Sequence, residues 1–280
     1  KIDTMKTTLR IYIISLFLTL SLASFSQKEI VILHTNDTHS RIEPLPKTDK
    51  SSADKGGVVR RATYIDQVRQ ENKNVLLFDA GDFLQGTPYF NLFKGEIEVK
   101  SMNHMGYDAV TLGNHEFDYG LDVLEEVTRL EKFPIVSSNY DFSETKLNGL
   151  IKPFIIIRKG GVKIGVIGIN IQPKGLIAAN NYKGVKYLDP IKTANDMAQM
   201  LKVDHNCDMV ICISHLGHNP DLNLAESTTG IDLIIGGHSH TFMKTPSIRQ
   251  NIDENDVLVF QTNGRGVYVG RIDVKLEKVK

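Results

Sequence analysis

The sequence has little cysteine and no excess of charge of either sign. Its 280 residues include two cysteines, and 33 basic residues balance 33 acidic ones. This balance offers no basic surface of the kind that binds nucleic acid or an anionic membrane. Cys207 and Cys212 are five positions apart on an extended segment, which is too far for an easy disulfide. We therefore expect two buried thiols that bind no metal, and no nucleic-acid partner.

The sequence also lacks internal repeats, heptad patterns, low-complexity tails and any obvious linker. Its 41% hydrophobic and 24% charged residues are an ordinary globular composition. We therefore expect one domain over residues 28–280.

No apolar run reaches the length of about 20 residues that a membrane-spanning helix needs. Residues 11–22 are apolar, follow Lys6 and Arg10, and precede small residues at 23–27. This order is typical of a cleaved signal peptide, here residues 1–27, and no cysteine follows it to take a lipid. We expect a secreted or periplasmic protein without a stable membrane anchor, and an uncleaved anchor is the alternative.

Short apolar runs alternate with segments of helical spacing along the rest of the chain. The patterns predict strands at residues 30–33, 75–78, 109–112, 134–136, 154–157, 162–167, 209–213, 231–235, 257–260 and 266–274. They predict helices at residues 58–72, 96–106, 121–132 and 190–203. Lys159-Gly160-Gly161 marks a hairpin, which does not fit a purely parallel sheet. The sequence therefore predicts an α/β layered sandwich with two sheets.

Five of the predicted strands end in side chains that bind metals. These candidate ligands are Asp37, His39, Asp82, Asn114, His215, His238 and His240. Residues two apart on an extended segment face the same way, so we expect Asp37 to converge with His39, and His238 with His240. We expect Gly113 to let the chain turn sharply before Asn114.

Seven nitrogen and oxygen ligands are too many for one tetrahedral ion and suit two ions that share a carboxylate. Asp82 is the best candidate for the shared carboxylate. The imidazole content favours Zn, Mn, Fe or Co over Mg or Ca. The sequence therefore predicts two divalent metal ions of uncertain identity.

Two ions about 3.5 to 4 Å apart supply a hydroxide near neutral pH and promote in-line displacement at phosphorus. Such a site needs no serine or cysteine nucleophile. His115, next to Asn114, is placed to stabilise the leaving alkoxide, and Asp118 to hold that imidazole in one tautomer. We therefore predict that His115 and Asp118 are catalytic.

Each piece of this pattern also has a simpler interpretation. A lone Asp-x-His or Gly-Asp is usually a turn or a helix cap. His34 is expected to be packed inside the first strand, and His104 and His205 to be solvated on helical stretches. Two interpretations stay open: His218 either approaches substrate or does not, and Arg41 meets either a phosphate oxygen or an acid in its own loop.

The motifs resemble those of the calcineurin-like metallophosphoesterases, and specifically the amino-terminal domain of the secreted 5′-nucleotidases. The resemblance rests on residues 33–41 (LHTNDTHSR), 81–88 (GDFLQGTP), 113–120 (GNHEFDYG), His215 and 237–240 (GHSH), and it spans residues 28–280. It implies a four-layer αββα sandwich of two mixed sheets flanked by helices, with a dinuclear site.

The resemblance also implies how the ligands divide between the ions. One ion would take Asp37, His39, Asp82 and His240, and the other would take Asp82, Asn114, His215 and His238. Relatives often have glutamine or asparagine where this chain has His240, which bears on metal preference. The second domain, which holds the nucleoside in those enzymes, has no counterpart in this sequence, so we expect that half to be absent or a separate polypeptide.

These observations predict an exported metal-dependent phosphohydrolase acting on phosphate monoesters, most of all nucleoside 5′-monophosphates. One alternative is a 2′,3′-cyclic-nucleotide phosphodiesterase, since the same hydroxide can attack a diester. The other alternative is a non-catalytic partner subunit in which the metals are a structural clamp. The pair His115 and Asp118 argues against the last alternative, because structural metal binding does not require it.

Overall fold

A computed structural model describes residues 28–276 of the protein. Most strands form from apolar runs rich in valine, isoleucine and leucine. The strands are β1 (Lys28–Thr35), β2 (Val75–Asp79), β3 (Ala109–Val110), β4 (Tyr140–Asp141), β5 (Phe154–Lys159), β6 (Val162–Asn170), β7 (Lys186–Tyr187), β8 (Met209–His215), β9 (Leu233–Gly236), β10 (Ser247–Gln250), β11 (Asp256–Phe260) and β12 (Gly270–Leu276). The helices are α1 (Val58–Glu71), α2 (Pro88–Phe93), α3 (Glu96–Met105), α4 (Gly120–Leu130), α5 (Pro190–Val203) and α6 (His218–Glu226). Two 3₁₀ turns cover His115–Phe117 and Ala179–Tyr182.

The strands form two large sheets and one small ribbon. One sheet has the order β12-β1-β2-β3, with β1, β2 and β3 parallel. The other has the order β10-β11-β9-β8-β6-β5, parallel from β11 to β6 and antiparallel at both edges. The β4-β7 ribbon is antiparallel. Because β1, β2 and β3 run the same way, as do β8 and β9, their carboxyl ends gather at one edge of each sheet.

The central strands of both large sheets are buried on both faces. In β1, Val31 and Leu33 join an apolar cluster with α1, α3 and α4, while Ile30 and Ile32 face the other way and are also buried. In β8, Cys212 packs with α5 and α6, and its neighbours on the opposite face are buried as well. Helices therefore cover the outer faces and the inner faces meet, as in a four-layer αββα sandwich. The predicted fold class is confirmed.

The structure also corrects several sequence predictions. Helices α2 and α6 and strands β4, β7 and β10 have no counterpart among the predicted elements. The strand predicted at 134–136 is reduced to isolated bridges at Ile135 and Val136, and β3 is only two residues long. The predicted hairpin is present as β5 and β6, and the four predicted helices are present to within two residues at each end.

Two predictions concern export and redox state. The signal peptide predicted at residues 1–27 lies outside the described residues. Among the residues that are described, no helix is long and apolar enough to span a bilayer. Cys207 and Cys212 are both buried free thiols, as expected.

Candidate metal centre

The seven candidate ligands follow or end β1, β2, β3, β8 and β9, and the fold brings them together. The site contains three overlapping groups, and within each group the candidate ligand atoms lie within 4.8 Å of one another. Asp37, His39 and His240 form the first group, and Asp82, His215 and His238 form the second. The third group joins Asp82 to His39 and His115.

The first group is open to solvent on one side. Nε2 of His240 lies 3.2 Å from Oδ1 of Asp37 and 3.0 Å from Nε2 of His39. The Asp37 side chain is fully buried, whereas the His240 side chain is 44% exposed. Three ligand atoms therefore face one point, with His240 at its outer edge.

The second group lies deeper. Nε2 of His215 lies 3.1 Å from Oδ2 of Asp82, and both residues are buried. Nδ1 of His238 lies 3.1 Å from Oδ1 of Asn114. The amide of Asn114 therefore extends the second group to four candidate ligands. Asp82 belongs to this group and also to the third group.

The imidazole nitrogens and carboxylate oxygens of the site fit divalent transition-metal cations and zinc. Nδ1 of His215 donates to the backbone oxygen of Ala80 over 2.6 Å, which leaves Nε2 as the free lone pair facing the pocket. That Nε2 atom is buried and has no hydrogen-bond partner of acceptable geometry among the described residues. A buried unpartnered imidazole nitrogen beside two buried carboxylates is suited to a metal ion.

The charges of the pocket reinforce one another. Burial by itself would raise the pKa of Asp82, but the nearby imidazoles, His215 first among them, lower it below its ordinary value. Burial by itself would lower the pKa of His215, but the charges of Asp82 and Asp37 raise it to about 10. The two carboxylates therefore make a field that attracts positive charge.

The backbone of the ligand loops differs from what the sequence analysis assumed. Five ligand candidates adopt left-handed conformations with φ between 45° and 71°: Asp37, His39, Asp82, His238 and His240. The expected convergence of Asp37 with His39 is correct, but the assumption of an extended segment is wrong. Left-handed turns, which cost a non-glycine residue about 1 kcal/mol or more, aim these side chains inward.

Gly113 is needed for a different reason from the one predicted. The φ angle of Gly113 is not positive, so the glycine is not required for a sharp left-handed turn. A Cβ at this position would overlap the carboxylate and backbone nitrogen of Asp82. The glycine therefore allows the β3 loop to lie against Asp82.

Glu116 is a residue of this site that the sequence analysis missed. Its Oε2 accepts the backbone N–H groups of Gly113 and Asp82 over 2.5 and 3.0 Å, and its Oε1 accepts that of Leu84 over 3.2 Å. It is buried, and burial followed by the charge of Asp82 raises its pKa to about 8. Its place in the Gly-Asn-His-Glu motif was the only available signal.

His115 and Asp118 lie beside the ligands and contact each other. Nδ1 of His115 lies 3.0 Å from Oδ2 and 3.1 Å from Oδ1 of Asp118. Burial by itself would lower the pKa of His115, but the hydrogen bond with Asp118 and the charge of Asp82 raise it above its ordinary value. The predicted pair is therefore present, with the other ring nitrogen of His115 free to act.

The remaining candidates are placed as follows. His34 is buried in β1 and His104 is exposed on α3, both as predicted, whereas His205 lies in a bend after α5 and not on a helix. The backbone of His218 begins α6, and its Nδ1 is buried without a hydrogen-bond partner among the described residues. Arg41 has no carboxylate partner in the described part of the chain, and its Nε is buried and unpartnered.

Comparisons with known proteins identify the family of this chain. The model of the calcineurin-like phosphoesterase family matches residues 30–242. A venom 5′-nucleotidase of Crotalus adamanteus is 35% identical over 266 residues, which is 88% of this chain and 45% of that protein. The chain spans between 18% and 50% of the length of eight curated relatives that it matches.

Solved structures show the same similarity. The 5′-nucleotidase precursor of Thermus thermophilus superimposes with a TM-score of 0.83 at 35% identity, over 89% of this chain and 52% of that one. The calcineurin-like phosphoesterase YfkN of Bacillus subtilis superimposes with a TM-score of 0.75 at 30% identity, over 90% of this chain and 86% of that one. The chain therefore belongs to the calcineurin-like phosphoesterases and is a metal-dependent phosphoric ester hydrolase.

Proposed function

We propose that this protein is an exported phosphomonoesterase that uses two divalent cations to hydrolyse nucleoside 5′-monophosphates. The observation that carries the proposal is the position of Asp82. Its carboxylate belongs both to the group with His215 and His238 and to the group with His39 and His115. A carboxylate so placed is suited to bridge two ions beside a catalytic imidazole.

The proposal assigns each ligand to an ion. Asp37, His39, Asp82 and His240 would hold one cation, and Asp82, Asn114, His215 and His238 would hold the other. When bound, two such cations supply Lewis-acid activation of water and of the phosphoryl group near neutral pH. Their identity among Zn, Mn, Co and Fe stays a prediction.

The other steps belong to side chains of the protein. Asp118 accepts a hydrogen bond from Nδ1–H of His115, which fixes the tautomer and turns Nε2 toward the reacting phosphate. Nε2 of His115 then stabilises the negative charge that develops on the leaving oxygen. If the Nε2–H proton of the protonated ring is transferred to that oxygen, His115 acts as a general acid, which typically contributes a factor of about 10² to 10⁴ in rate.

The choice of a nucleotide rests on the relatives. Several are named 5′-nucleotidases and share 33 to 35% identity with this chain. Because the chain spans at most half of their length, their whole activity does not transfer. That the nucleoside-binding half is absent or a separate polypeptide therefore stays a prediction. Export also stays a prediction, and the venom relatives and the pattern of residues 6–27 support it.

A phosphate-release assay tests the proposed activity. Purified protein would be stripped with a chelator, reloaded with Zn, Mn, Co or Fe, and given mononucleotides, 2′,3′-cyclic nucleotides, sugar phosphates and phenyl phosphate. We expect phosphate release that needs metal and is fastest with a mononucleotide. Faster turnover of the cyclic diester would favour the phosphodiesterase, and no turnover of any ester would favour the non-catalytic alternative.

Export has its own test. Residues 1–280 would be expressed in a Gram-negative bacterium, and the amino terminus of the periplasmic protein would be determined by mass spectrometry. We expect a mature chain that begins close to Lys28. Retention of residues 1–27 on the periplasmic protein would contradict cleavage.

A further inference from the structure

The candidate metal centre draws its ligands from both large sheets. The loops after β1, β2 and β3, in the four-stranded sheet, carry Asp37, His39, Asp82 and Asn114. The ends of β8 and β9, in the six-stranded sheet, carry His215, His238 and His240. The distances between the candidate ligands therefore depend on how the two sheets are held together at this edge.

The side chain of Asn170 joins the two sheets here and is not itself a candidate ligand. Asn170 is the last residue of β6 in the six-stranded sheet, and it is fully buried. Its Nδ2 donates to the backbone oxygen of Leu112 over 2.5 Å and to Oγ1 of Thr111 over 2.9 Å. Both acceptors lie in the segment that leads from β3 to Asn114.

Asn170 is also aligned with a candidate ligand of its own sheet. In the parallel register of β6 and β8, Asn170 is paired with His215. One side chain next to the strand position of His215 therefore holds the peptide group that lies two residues before Asn114. Asn114 and His215 both belong to the second group of candidate ligands.

The amide of Asn170 is itself held in place. Its Oδ1 accepts a hydrogen bond from Oγ of Ser137 over 2.5 Å. Asn139 pairs with the backbone of Asn170, since its Oδ1 accepts the N–H over 2.7 Å and its Nδ2 donates to the oxygen over 2.9 Å. A flipped amide would place its oxygen against the backbone oxygen of Leu112, so these contacts also fix its orientation. A buried network with every member paired is rigid.

The two sheets lie close together at this point because of Gly168. A Cβ on Gly168, two residues before Asn170 in β6, would overlap the backbone oxygen of Val136 and lie 2.8 Å from Oγ1 of Thr111. The backbone of β6 therefore packs directly against the segments beside β3. A side chain as short as that of asparagine can then reach across.

Packing alone does not explain an asparagine at position 170. Burying an amide costs free energy unless the amide is hydrogen-bonded, and an apolar side chain would fill the same space without that cost. What the amide adds is direction, because its two donors bind two particular oxygens of the segment that leads to Asn114.

We propose that Asn170 is a positioning residue of the metal centre. It holds the peptide group of residues 112–113 against β6, so that Asn114 lies within reach of the cation that His215 also binds. The proposal rests on the proposed function for the assignment of Asn114 and His215 to one cation. Residues that orient metal ligands typically contribute a factor of about 10 to 100 in metal affinity or activity.

A metal titration tests whether Asn170 acts on one of the two proposed ions. The wild type and Asn170→Ala would be stripped with a chelator and titrated with Mn by calorimetry. We expect one binding step to weaken by about 10- to 100-fold and the other to change much less. The weakened step should differ from the step that His240→Gln alters. Equal weakening of both steps would show a general loosening of the fold and would overturn the proposal.

Ser137→Ala is the matched control. It removes one buried hydrogen bond at the other end of the same amide and keeps both hydrogen bonds from Nδ2. We expect it to lower the free energy of unfolding and to leave both metal-binding steps unchanged. Asn170→Leu keeps a side chain branched at Cγ but offers no donor, and it gives the same comparison if the alanine variant does not fold.

Hydrogen exchange separates this proposal from the proposed function. Mass spectrometry of the peptide covering residues 111–117 in chelator-treated protein needs neither metal nor turnover. In this segment the N–H of Gly113 donates to Glu116 and the N–H of His115 donates to Asp82. We expect these amides to exchange faster in Asn170→Ala than in the wild type or Ser137→Ala.

Faster exchange confined to the Asn170 variant supports the positioning role even if no phosphate ester is hydrolysed. Exchange at the same rate in Asn170→Ala and Ser137→Ala would overturn it.

Discussion

Oε2 of Glu116 accepts the backbone N–H of Asp82 over 3.0 Å, and this joins the loop after β2 to the loop after β3. The same oxygen accepts the N–H of Gly113, and the other carboxylate oxygen accepts that of Leu84. One buried side chain therefore fixes the backbone of two ligand loops. Its contribution is to the geometry of Asp82 and Asn114 rather than to the chemistry.

Replacing Glu116 by alanine should destabilise the protein and loosen the metal centre. The change leaves three buried N–H groups without a partner, at a cost of about 1 to 3 kcal/mol or more in the free energy of unfolding. Urea unfolding and metal content by mass spectrometry would measure both effects. Glu116→Gln keeps one acceptor oxygen and should recover part of the loss, and equal stability of the alanine variant and the wild type would contradict this role.

Adding one methyl group at Gly113 should disrupt the site. In Gly113→Ala, the new Cβ overlaps the carboxylate of Asp82, so the two loops must separate. We expect loss of metal binding and of activity, measured by calorimetric titration of the metal and by phosphate release. The control Gly175→Ala meets no atom within 4 Å, and carries only the cost of its left-handed φ of 86°. Normal metal affinity in Gly113→Ala would disprove the steric argument.

His34 should make the stability of the fold depend on pH. Burial lowers its pKa from 6.5 to about 4, so between these values the unfolded chain binds a proton that the folded chain does not. The free energy of unfolding is therefore highest above pH 6.5, and it decreases by about 3 kcal/mol as the pH falls to 4. Urea unfolding of chelator-treated protein at pH 7 and pH 4 measures it.

The variant His34→Leu isolates that contribution. It removes the titrating ring and keeps an apolar side chain in β1, so other acid-sensitive groups are unchanged. We expect the wild type to lose about 3 kcal/mol more than the variant between the two pH values. Parallel losses in the two proteins would show that His34 does not carry the effect.

His115→Ala should separate catalysis from metal binding. The imidazole contacts Asp118 and is absent from the proposed ligand sets, so metal content should stay at the wild-type level. We expect kcat to fall by about 10² to 10⁴ with a nucleotide substrate. Asp118→Asn should cause a smaller fall, since it changes only the orientation of the ring, and the double variant should be no worse than His115→Ala. Full activity in His115→Ala would favour the non-catalytic alternative.

His240→Gln should change the metal preference and keep activity. The His240 side chain is at the open edge of the first group, and an amide oxygen is a harder ligand than an imidazole nitrogen. We expect the order of activation by Zn, Mn, Co and Fe to shift toward Mn, with turnover within about 10-fold of the wild type. His215→Ala, at the buried end of the site, should lose activity with every metal. An identical activation order in His240→Gln and the wild type would contradict the prediction.

Sequence patterns predicted which candidate ligands follow neighbouring strands, because parallel strands place their carboxyl ends at one edge of a sheet. Apolar runs located β1 and β2 in one sheet and β8 and β9 in the other, so the polar residues after each run gather at the carboxyl edge of their own sheet. Helix α5 was predicted with its bounds from its apolar spacing, and the structure supplies a physical reason for its start, because Asp189 caps it and Pro190 occupies its first position. Periodicity and position were thus enough to predict the layers of the fold and the seven candidate ligands, but not Glu116.

The features that the sequence analysis missed have two causes, a proline inside a helix and contacts between segments far apart in the chain. Helix α6 begins with His218-Asn219-Pro220. A proline is usually taken as a helix breaker, although the first turn of a helix tolerates it, and so this helix was not predicted. Strand β10 has alternating exposed residues and forms only by pairing with β11. The left-handed backbone of the ligands and the role of Glu116 depend on contacts between loops, which residue spacing does not encode.

The hydrogen bonds from the backbone N–H of His238 to both carboxylate oxygens of Asp37, at 3.1 and 3.0 Å, join residues 201 positions apart. At about 5 to 20 residues per second, a ribosome needs about 10 to 40 s to pass from one to the other. An emerging chain therefore carries the early ligands well before the late ones exist. Metal uptake by the complete set of candidate ligands therefore follows the synthesis of residue 240.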